Sequence, residues 1–381
     1  MFKIGFDAKR FFNNQTGLGN YSRDLIRILR TYFPEVTYLL YTPQLGKQEY
    51  NQLVPNHIVR QPAGFINRTF KSYWRGDGIV EDLKRDMIQI FHGLSGEIPV
   101  GLKETSIKSV VTIHDLIFIR YPELYKKIDR TVYHKKFKYA CEHADQIVAI
   151  SEQTKLDICE FFHIPEDKIK VIYQGCHESF KSIKTEEEKK DLRIKLGLPT
   201  DFILNVGTIE SRKNALSIVK AILNKDIPLV IVGKPTAYAK EIQEFITLKG
   251  MQDRVIFLQG LSMHELSVLY SIAKIFVYPS IFEGFGIPII EALYSGTPVI
   301  TTASGVFPEA GGPSSYYVNP HDIDQLSDAI DTILDSPVLQ EEMSKIGLEY
   351  AQQFNDDTLA SQWMNLYLEI KGESSHRSHK I

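Results

Sequence analysis

Short apolar runs alternate with helical patterns along most of this chain, and the alternation occurs in two successive blocks. In the first block the strand-like runs are Lys3–Asp7, Val36–Tyr41, Gln89–His92, Ser109–His114, Gln146–Ile150 and Lys170–Tyr173. In the second block they are Phe202–Val206, Pro228–Val232, Val255–Leu258, Ile275–Tyr278 and Pro298–Thr301. Such alternation is typical of parallel sheets that carry helices on both faces. The sequence therefore predicts an α/β fold built from two similar units.

A charged stretch, Thr185–Lys195, has no strand pattern, and we interpret it as a solvated helix beside the linker between the two blocks. The length of 381 residues also favours two domains rather than one core. In the first block, helices are predicted at Asn20–Tyr32, Pro122–His143 and Glu152–Phe162. The predicted segments are domains over 1–180 and 181–357, a C-terminal helix over 358–372 and a disordered tail over 373–381.

Composition limits the classes of function. Apolar residues make up 43% and charged residues 24% of the chain, as in soluble globular proteins, and the net charge of -3 argues against a nucleic-acid partner. The three cysteines, Cys141, Cys159 and Cys176, form no paired pattern, which favours free thiols in a reducing compartment. The first residues resemble a strand rather than a signal peptide, and no apolar run approaches the roughly 18 residues of a membrane span. We therefore expect a cytoplasmic protein.

Two glutamates, Glu283 and Glu291, stand eight residues apart around a glycine turn and the start of an apolar helical pattern. A helix N-terminus attracts phosphate, and Gly284 and Gly286 would let the backbone approach a ligand. Because carboxylates repel phosphate, the glutamates are expected to accept hydrogen bonds from hydroxyls instead. This combination suits a nucleotide-sugar, although a buried helix start with two unrelated carboxylates would have the same pattern.

Two further motifs follow strands of the first block. Gly17-Leu18-Gly19 precedes an amphipathic helix but is not a dinucleotide fingerprint, because Ser22 occupies the third glycine position. It is interpreted either as a small loop that contacts a ligand or as an ordinary turn. His114 and Asp115 end a strand, where α/β sites collect. His114 is expected to hydrogen-bond a substrate hydroxyl, and Asp115 to fix its tautomer or to cap the next turn.

Arg212 and Lys213 follow the strand Phe202–Val206 at a strand-to-helix turn. A guanidinium fork and an ammonium group suit a diphosphate, whose charge they would stabilise as it leaves. The alternative is a solvated basic pair, which the dipole of the following helix mildly disfavours. No metal site is expected, because the pair Asp322 and Asp324 opens a helix, where Asp is an ordinary cap.

The predicted helix over 122–143 interleaves basic residues with aromatic and aliphatic ones. Such a helix could lie on an anionic membrane surface. A solvated charged face would have a similar composition, so both interpretations stay open.

Taken in order, these motifs resemble the retaining GT-B glycosyltransferases of family 4 over about Phe2 to Ala360. The most specific element is Glu283…Glu291, which resembles the Glu-x7-Glu signature of that family. Further support comes from Val206–Asn214, Gly17–Tyr21, Ile113–Leu116, Ser151–Thr154 and Gly296–Ile300. The resemblance implies two Rossmann-like domains facing across a cleft, the first for the acceptor and the second for a nucleotide-sugar. It also implies that the C-terminal helix crosses back to the first domain.

The resemblance implies a role for each motif. Lys213, with Arg212, would hold the donor diphosphate, and His114 would contact the hydroxymethyl side of the sugar near the reacting carbon. Glu283 would grip the donor sugar, and Glu291 would bind the ribose hydroxyls. The other residues implied in donor binding are Gly17, Gly19, Thr208, Gly284, Phe285, Gly286 and Ile287. At Thr208 the sequence departs from many relatives, which carry an arginine there.

The variant of these motifs is similar to mannosyltransferases that build bacterial surface polysaccharides. It implies retaining transfer of mannose from GDP-mannose to a glycan or lipid-linked oligosaccharide, without a metal or other cofactor. The helix over 122–143 would then hold the protein on the inner face of the membrane. One alternative keeps the fold but uses a UDP- or dTDP-sugar. A second alternative is a non-catalytic scaffold of a polysaccharide assembly complex.

Overall fold

The computed structural model describes residues 2–372, which divide into two compact units. The first unit contains residues 2–174 and 356–372, and the second contains Gly175–Asn355. The first boundary follows Gln174, six residues before the predicted boundary after residue 180. The second follows Asn355, two residues before the predicted boundary after residue 357. The tail predicted over 373–381 lies outside the described residues.

The first unit is built on a sheet of seven parallel strands in the order β3-β2-β1-β4-β5-β6-β7. The strands are β1 Lys3–Asp7, β2 Thr37–Tyr41, β3 Val59–Arg60, β4 Ile90–Gly93, β5 Lys108–Ile113, β6 Gln146–Ala149 and β7 Ile169–Val171. The helices are α1 Lys9–Asn13, α2 Gly17–Tyr32, α3 Gln48–Asn51, α4 Phe65–Thr69, α5 Lys71–Tyr73, α6 Ile79–Arg85, α7 Ile117–Arg120, α8 Lys127–His143 and α9 Glu152–Phe162. Because the strand order reverses between β1 and β4, a switch point lies between their carboxyl ends, where such sheets bind ligands.

The second unit repeats this plan with six parallel strands in the order β10-β9-β8-β11-β12-β13. The strands are β8 Ile203–Val206, β9 Leu229–Val232, β10 Val255–Leu258, β11 Ile275–Tyr278, β12 Val299–Thr302 and β13 Tyr316–Val318. The helices are α10 Glu186–Leu196, α11 Ala215–Ala221, α12 Ala237–Leu248, α13 Met263–Ile272, α14 Ile287–Tyr294, α15 Phe307–Gly311, α16 Ile323–Leu334 and α17 Pro337–Ala351. Its switch point lies between β8 and β11. The predicted α/β class with two Rossmann-like units is therefore confirmed.

The C-terminal helix α18, Asp356–Lys371, belongs to the core of the first unit. Trp363 and Tyr367 are almost completely buried there. At the start of the helix, the carboxylate of Asp356 lies 2.8 Å from the guanidinium of Arg27 on α2. The last helix of the chain therefore completes the unit that the first strands begin.

Two strands of the structure were not predicted, and two predicted helices begin at other residues. The two-residue strand β3 and the edge strand β13 were not predicted, because neither has enough apolar residues to form a pattern. The helix predicted over 122–143 begins at Lys127, because Pro122–Leu124 forms a separate 3-10 turn and Tyr125 and Lys126 are extended. The helix predicted from Asn20 begins three residues earlier, at Gly17.

Replacing Trp363 by alanine should lower the free energy of unfolding of the first unit by about 3–5 kcal/mol, because a large buried ring leaves a cavity. Both tryptophans, Trp74 and Trp363, belong to this unit, so the fluorescence of Trp74 during urea titration follows its unfolding. Gln362→Ala, at an exposed position of the same helix, is the control and should change stability by less than about 0.5 kcal/mol. Equal losses in the two variants would contradict the packing of α18.

Candidate active site

Two charged side chains meet Glu283 at the switch point of the second sheet. Lys213 follows β8, which ends at Val206, and Glu283 follows β11, which ends at Tyr278. The Nζ of Lys213 lies 2.8 Å from Oε1 of Glu283 and 2.6 Å from the hydroxyl of Tyr278. The guanidinium of Arg212 lies 2.8 Å from Oε2 of the same glutamate. The structure thus brings together three of the predicted site residues.

The local backbone explains why these groups meet. Gly207 has a φ of +144°, and a Cβ there would lie 2.8 Å from Cδ of Lys213, so the glycine leaves room for the lysine stem. Asn214 ends the turn in the left-handed conformation, with φ +55°. The N–H of Ile281 donates to the carbonyl of Arg212 at 2.8 Å, which ties the loop after β11 to the loop after β8.

Glu283 is an ionised carboxylate held by the protein. Burial alone would raise its pKa, but the charges of Lys213 and Arg212 outweigh this effect and lower the pKa to about 2. Its Oε1 also accepts a hydrogen bond of 2.8 Å from Ser280. Burial alone would lower the pKa of Arg212, but the carboxylates of Glu283 and Glu210 raise it above its ordinary value. Glu210 lies 2.7 Å from the guanidinium. Glu283 was predicted to accept from sugar hydroxyls, whereas the contacts described here come from the protein itself.

Glu291 lies on α14, separately from this cluster of ion pairs. Its side chain is buried, and Oε2 accepts a hydrogen bond of 3.1 Å from the hydroxyl of Tyr270. Burial raises its pKa to about 7, against the hydrogen bond from Tyr270 and the charge of Lys213. Glu291 therefore changes protonation state near neutral pH, and Glu283 does not.

The other residues predicted for donor binding in this unit lie around the same loops. Gly286 precedes α14 with a φ of +137°, a conformation that favours glycine. Phe285 is buried, and its ring packs edge-on against Phe354 with 5.7 Å between centroids, so its side chain belongs to the core of the unit. Gly284 and Ile287 are partly buried in the same loop and helix start, and Thr208 is exposed beside Gly207.

In the first unit, His114 follows β5 and is buried. Its Nε2 lies 2.9 Å from the carbonyl oxygen of Leu94 and must donate to it, which leaves Nδ1 to accept from Nε2 of Gln174 at 3.4 Å. Burial lowers its pKa to about 4, against the hydrogen bond to Leu94, so the imidazole is neutral at pH 7. Asp115 accepts a hydrogen bond of 3.1 Å from the N–H of Ile117 at the start of α7, and its two expected roles stay predictions.

A chain of buried hydrogen bonds behind His114 was not predicted. The two ring nitrogens of His92 lie 2.8 Å from the hydroxyls of Tyr367 and Thr112, and Thr112 lies 3.1 Å from the hydroxyl of Tyr21. The ring of Tyr21 meets the His114 ring edge-on at 4.6 Å between centroids. Burial, together with the nearby His114, lowers the pKa of His92 to about 3. The sequence signal that could have indicated this chain is one polar residue within each of two apolar strands, His92 in β4 and Thr112 in β5.

Gly17 and Gly19 lie in the first turn of α2, not in a loop before it. The backbone N–H of Gly19 donates to the carbonyl of Thr16 at 2.9 Å and is 3.2 Å from the side-chain oxygen of Asn14. A Cβ at Gly19 would lie 1.9 Å from the Asn14 carbonyl oxygen, so glycine is needed for packing there. A Cβ at Gly17 would meet no other atom within 4 Å. Ligand contact at both glycines stays a prediction, and only Gly19 has a structural reason to be glycine.

Residues 2–372 contain neither a metal-binding cluster nor a membrane-spanning helix. In that part of the chain, no three His, Cys, Asp or Glu side chains are grouped so as to hold a metal ion. None of the helices described for it is both long and apolar enough to cross a bilayer.

Replacing His114 by asparagine should reduce the acid sensitivity of the first unit. Because the folded-state pKa of His114 is about 4 and the ordinary value is 6.5, its contribution to stability is present above pH 6.5 and is lost as pH falls toward 4. Between about pH 7.5 and 5.0, the loss of unfolding free energy should be smaller in His114→Asn by about 2 kcal/mol. Urea titrations followed by tryptophan fluorescence measure it.

The exposed His57 provides the control, since His57→Asn should keep the acid sensitivity of the unchanged protein. An identical loss in His114→Asn and in the unchanged protein would contradict a buried, neutral His114.

Comparison with known proteins agrees with this architecture. The Glycosyltransferase Family 4 model matches residues 16–180, and the Glycosyl transferases group 1 model matches residues 184–350. The chain is 33% identical over 232 residues to the O-antigen chain mannosyltransferase RfbU of Salmonella typhimurium, covering 58% of this chain and 62% of that protein. The chain thus spans less than two thirds of that relative. It is 26% identical over 386 residues to the O-antigen chain mannosyltransferase B of Escherichia coli, covering 96% of this chain and 99% of that one.

Among solved structures, Anabaena HepE in complex with UDP superposes with a TM-score of 0.76 at 17% identity, covering 97% of this chain and 100% of that one. This likeness supports the predicted GT-B fold. One family model matches most of the first unit and the other matches most of the second, in the order that the GT-B resemblance predicts. The chain therefore belongs to glycosyltransferase family 4, among the group 1 glycosyl transferases.

Proposed function

We propose that this protein transfers mannose from GDP-mannose to a hydroxyl of a glycan or lipid-linked oligosaccharide during synthesis of a surface polysaccharide. The observation that carries this proposal is the cluster of Lys213, Arg212 and Glu283 at the switch point of the second sheet. Glycosyl transfer follows from the family. Mannose, the guanine base and the acceptor are proposed from the relatives RfbU and mannosyltransferase B, which are O-antigen chain mannosyltransferases.

Lys213 is proposed to bind the donor diphosphate. Of the three hydrogens on an ammonium group, Lys213 uses two for Tyr278 and Glu283, which leaves one for a phosphate oxygen. As the bond between the sugar and the diphosphate breaks, negative charge develops on the phosphate, and a fixed cation stabilises it. Glu283 holds Lys213 in position before the reaction, and Arg212 adds a second positive charge beside it.

Transfer is proposed to retain the anomeric configuration by attack on the same face as the leaving group. A double displacement would need an available carboxylate nucleophile. Glu283 suits that role poorly, because its oxygens accept hydrogen bonds from Lys213 and Ser280 and its pKa is about 2. The leaving phosphate would instead accept the proton of the acceptor hydroxyl, while an oxocarbenium-like state forms on the sugar.

Glu291 and His114 are proposed to position the donor. The carboxylate of Glu291 would accept hydrogen bonds from the ribose hydroxyls, since its other described partner is the single hydroxyl of Tyr270. His114 would present a neutral ring to the sugar, because its pKa of about 4 keeps it unprotonated at pH 7. We expect His114 to contribute packing and, where a sugar hydroxyl replaces Gln174 as the donor to Nδ1, a hydrogen bond, but not a proton.

The reaction is proposed to need no divalent metal or other cofactor. A metal ion in diphosphate chemistry supplies positive charge beside the phosphates. Lys213 and Arg212 are proposed to supply that charge here, so chelators should leave turnover unchanged.

A peripheral membrane contact is proposed for the basic helix α8. Tyr133 and Phe137 pack against Phe118, with ring centroids 5.8 and 5.4 Å apart, so these aromatic residues lie on the inner side of the helix. Lys127 and Lys135 are exposed, together with Lys136 and Lys138. Each cation near an anionic leaflet contributes about 1 kcal/mol to binding.

Two alternatives differ in testable ways. A UDP- or dTDP-sugar could be the donor, and the structural neighbour HepE was solved with UDP. A non-catalytic scaffold would keep the fold without turnover, but such a protein would have no need of Lys213, Arg212, Glu283 and Glu291 together.

Lys213→Ala should lower turnover by about 10²–10³-fold, because the leaving phosphate loses its fixed cation. The fold should survive, since Arg212 still pairs with Glu283. Lys240→Ala, at an exposed position of the same unit, is the matched control. Near-normal turnover by Lys213→Ala, measured with the preferred donor, would remove this lysine from the mechanism.

Calorimetric titration with GDP-mannose, UDP-glucose and dTDP-glucose in the presence of EDTA should show selective binding of GDP-mannose. Above the pKa of about 7, where Glu291 is ionised, Glu291→Gln should weaken that binding by about tenfold, because a charged acceptor for the ribose is lost. Preference for UDP or dTDP would overturn the proposed donor. Absence of binding to all three would favour the scaffold.

A further inference from the structure

Four large apolar side chains are exposed within nine residues of the first unit. Phe65 is 85% exposed, Ile66 64%, Phe70 61% and Tyr73 53%. Three of the four are aromatic side chains, which are usually buried in a folded protein. Phe65 and Ile66 lie on the short helix α4, Tyr73 lies on α5, and Phe70 links the two helices. Neither the family resemblance nor the proposed site uses this segment. An apolar cluster of this kind in solvent usually marks an interaction surface.

The same segment is cationic. From residue 61 to residue 76 the sequence contains no Asp or Glu. Arg68 and Lys71 are both exposed between the apolar residues, and the hydrogen bonds described for them go to the Pro62 carbonyl and the side chain of Gln44. Neither of these cations forms an ion pair with a carboxylate among the described residues. Arg or Lys beside Phe and Tyr is the composition of a surface that binds an anionic lipid interface.

The segment is fixed at its C-terminal end, so its exposed side chains are not a consequence of an unstructured loop. Trp74 is completely buried, and its indole N–H donates to Asp82 at 2.7 Å. The next residue, Arg75, lies 2.5 Å from Asp7 at the end of β1 and 2.6 Å from Glu97. The apolar residues therefore adjoin a segment that is held by a buried ring and by two ion pairs.

Glu97 connects this segment with the basic helix. Its Oε2 accepts from Arg75 at 2.6 Å and from Lys136 of α8 at 3.0 Å. On and just before that helix, Leu124, Ile128 and Val132 are also exposed, at a spacing of four residues. The apolar and cationic character thus continues from the segment to the helix for which membrane contact is proposed.

We propose that residues 65–73 form an anchor that inserts Phe65, Ile66, Phe70 and Tyr73 into the interface of an anionic lipid bilayer beside α8. The proposal rests on the proposed function, in the form in which the acceptor is a lipid-linked oligosaccharide. Arg68 and Lys71 would meet the lipid headgroups, and the aromatic rings would lie among the first acyl carbons. An anionic bilayer fits better than a protein partner, because the exposed apolar side chains lie beside the exposed cations Arg68 and Lys71 and the segment contains no Asp or Glu.

Co-sedimentation with vesicles tests the anchor without requiring any donor or acceptor. The intact chain should bind vesicles of phosphatidylglycerol and phosphatidylethanolamine, and the binding should weaken in high salt and on pure phosphatidylcholine. The double variant Phe65→Ser, Phe70→Ser should bind the anionic vesicles at least about tenfold more weakly. The double variant Ile183→Ser, Val338→Ser removes two exposed apolar side chains of the second unit and should bind like the unchanged protein.

A tryptophan at position 70 reports insertion directly. Phe70→Trp should be quenched by brominated lipids, whereas Ile183→Trp, at a position 99% exposed in the second unit, should not. The natural residues Trp74 and Trp363 are buried and provide a constant background. Quenching of Phe70→Trp alone supports the anchor.

Unchanged vesicle binding by Phe65→Ser, Phe70→Ser, or an unquenched tryptophan at position 70, would overturn the anchor. Binding of GDP-mannose by the same double variant separates this result from the proposed function. A variant that loses vesicle binding but keeps donor binding supports both proposals. A double variant that binds vesicles as well as the unchanged protein does, but binds no nucleotide-sugar, would count against both proposals.

Discussion

The ion pairs that Glu283 forms with Lys213 and Arg212 determine the arrangement of the second unit's site. A carboxylate this buried would be neutral on its own, and two cations in the same place would be costly without it. Each charge is therefore acceptable only because the others are present. The cluster also joins the loop after β8 to the loop after β11, across the point where the strand order reverses. A phosphate at this switch point would meet cations that are already fixed in position.

The two units stabilise their buried polar groups in different ways. At its switch point the second unit uses full charges, whereas behind His114 the first unit uses a neutral chain of hydroxyls and imidazoles that begins at Tyr367 and reaches Tyr21 through His92. A neutral chain costs less to bury but is sensitive to acid, because protonation of either histidine places a charge in the core. Full charges thus lie at the switch point that is proposed to bind phosphate, and the first unit has its own buried ion pair between Arg75 and Asp7.

Much of the fold could be predicted because buried parallel strands are almost entirely apolar. Lys3–Asp7, Val255–Leu258 and Ile275–Tyr278 have the predicted bounds for this reason. The start of α2 at Gly17 could not be predicted, since it depends on a contact with Asn14 that no periodic pattern reveals. The meeting of Glu283 with Lys213 depends on which strands are neighbours in the sheet. The sequence around Glu283 and around Lys213 indicated that each would bind a ligand, but not that the two side chains would form an ion pair with each other.

The first unit is discontinuous in sequence, because α18 follows the whole of the second unit. On the ribosome, its sheet is complete when Gln174 has emerged, but Trp363 and Tyr367 are still to be synthesised. At ordinary rates of translation, the 181 residues of Gly175–Asn355 take about 10 to 40 s to make. During that interval the apolar groove that will receive α18 is open to water, while the second unit can finish folding. The N-terminal part of this chain should therefore fold last, and it is the part of the nascent protein that would need protection by a chaperone.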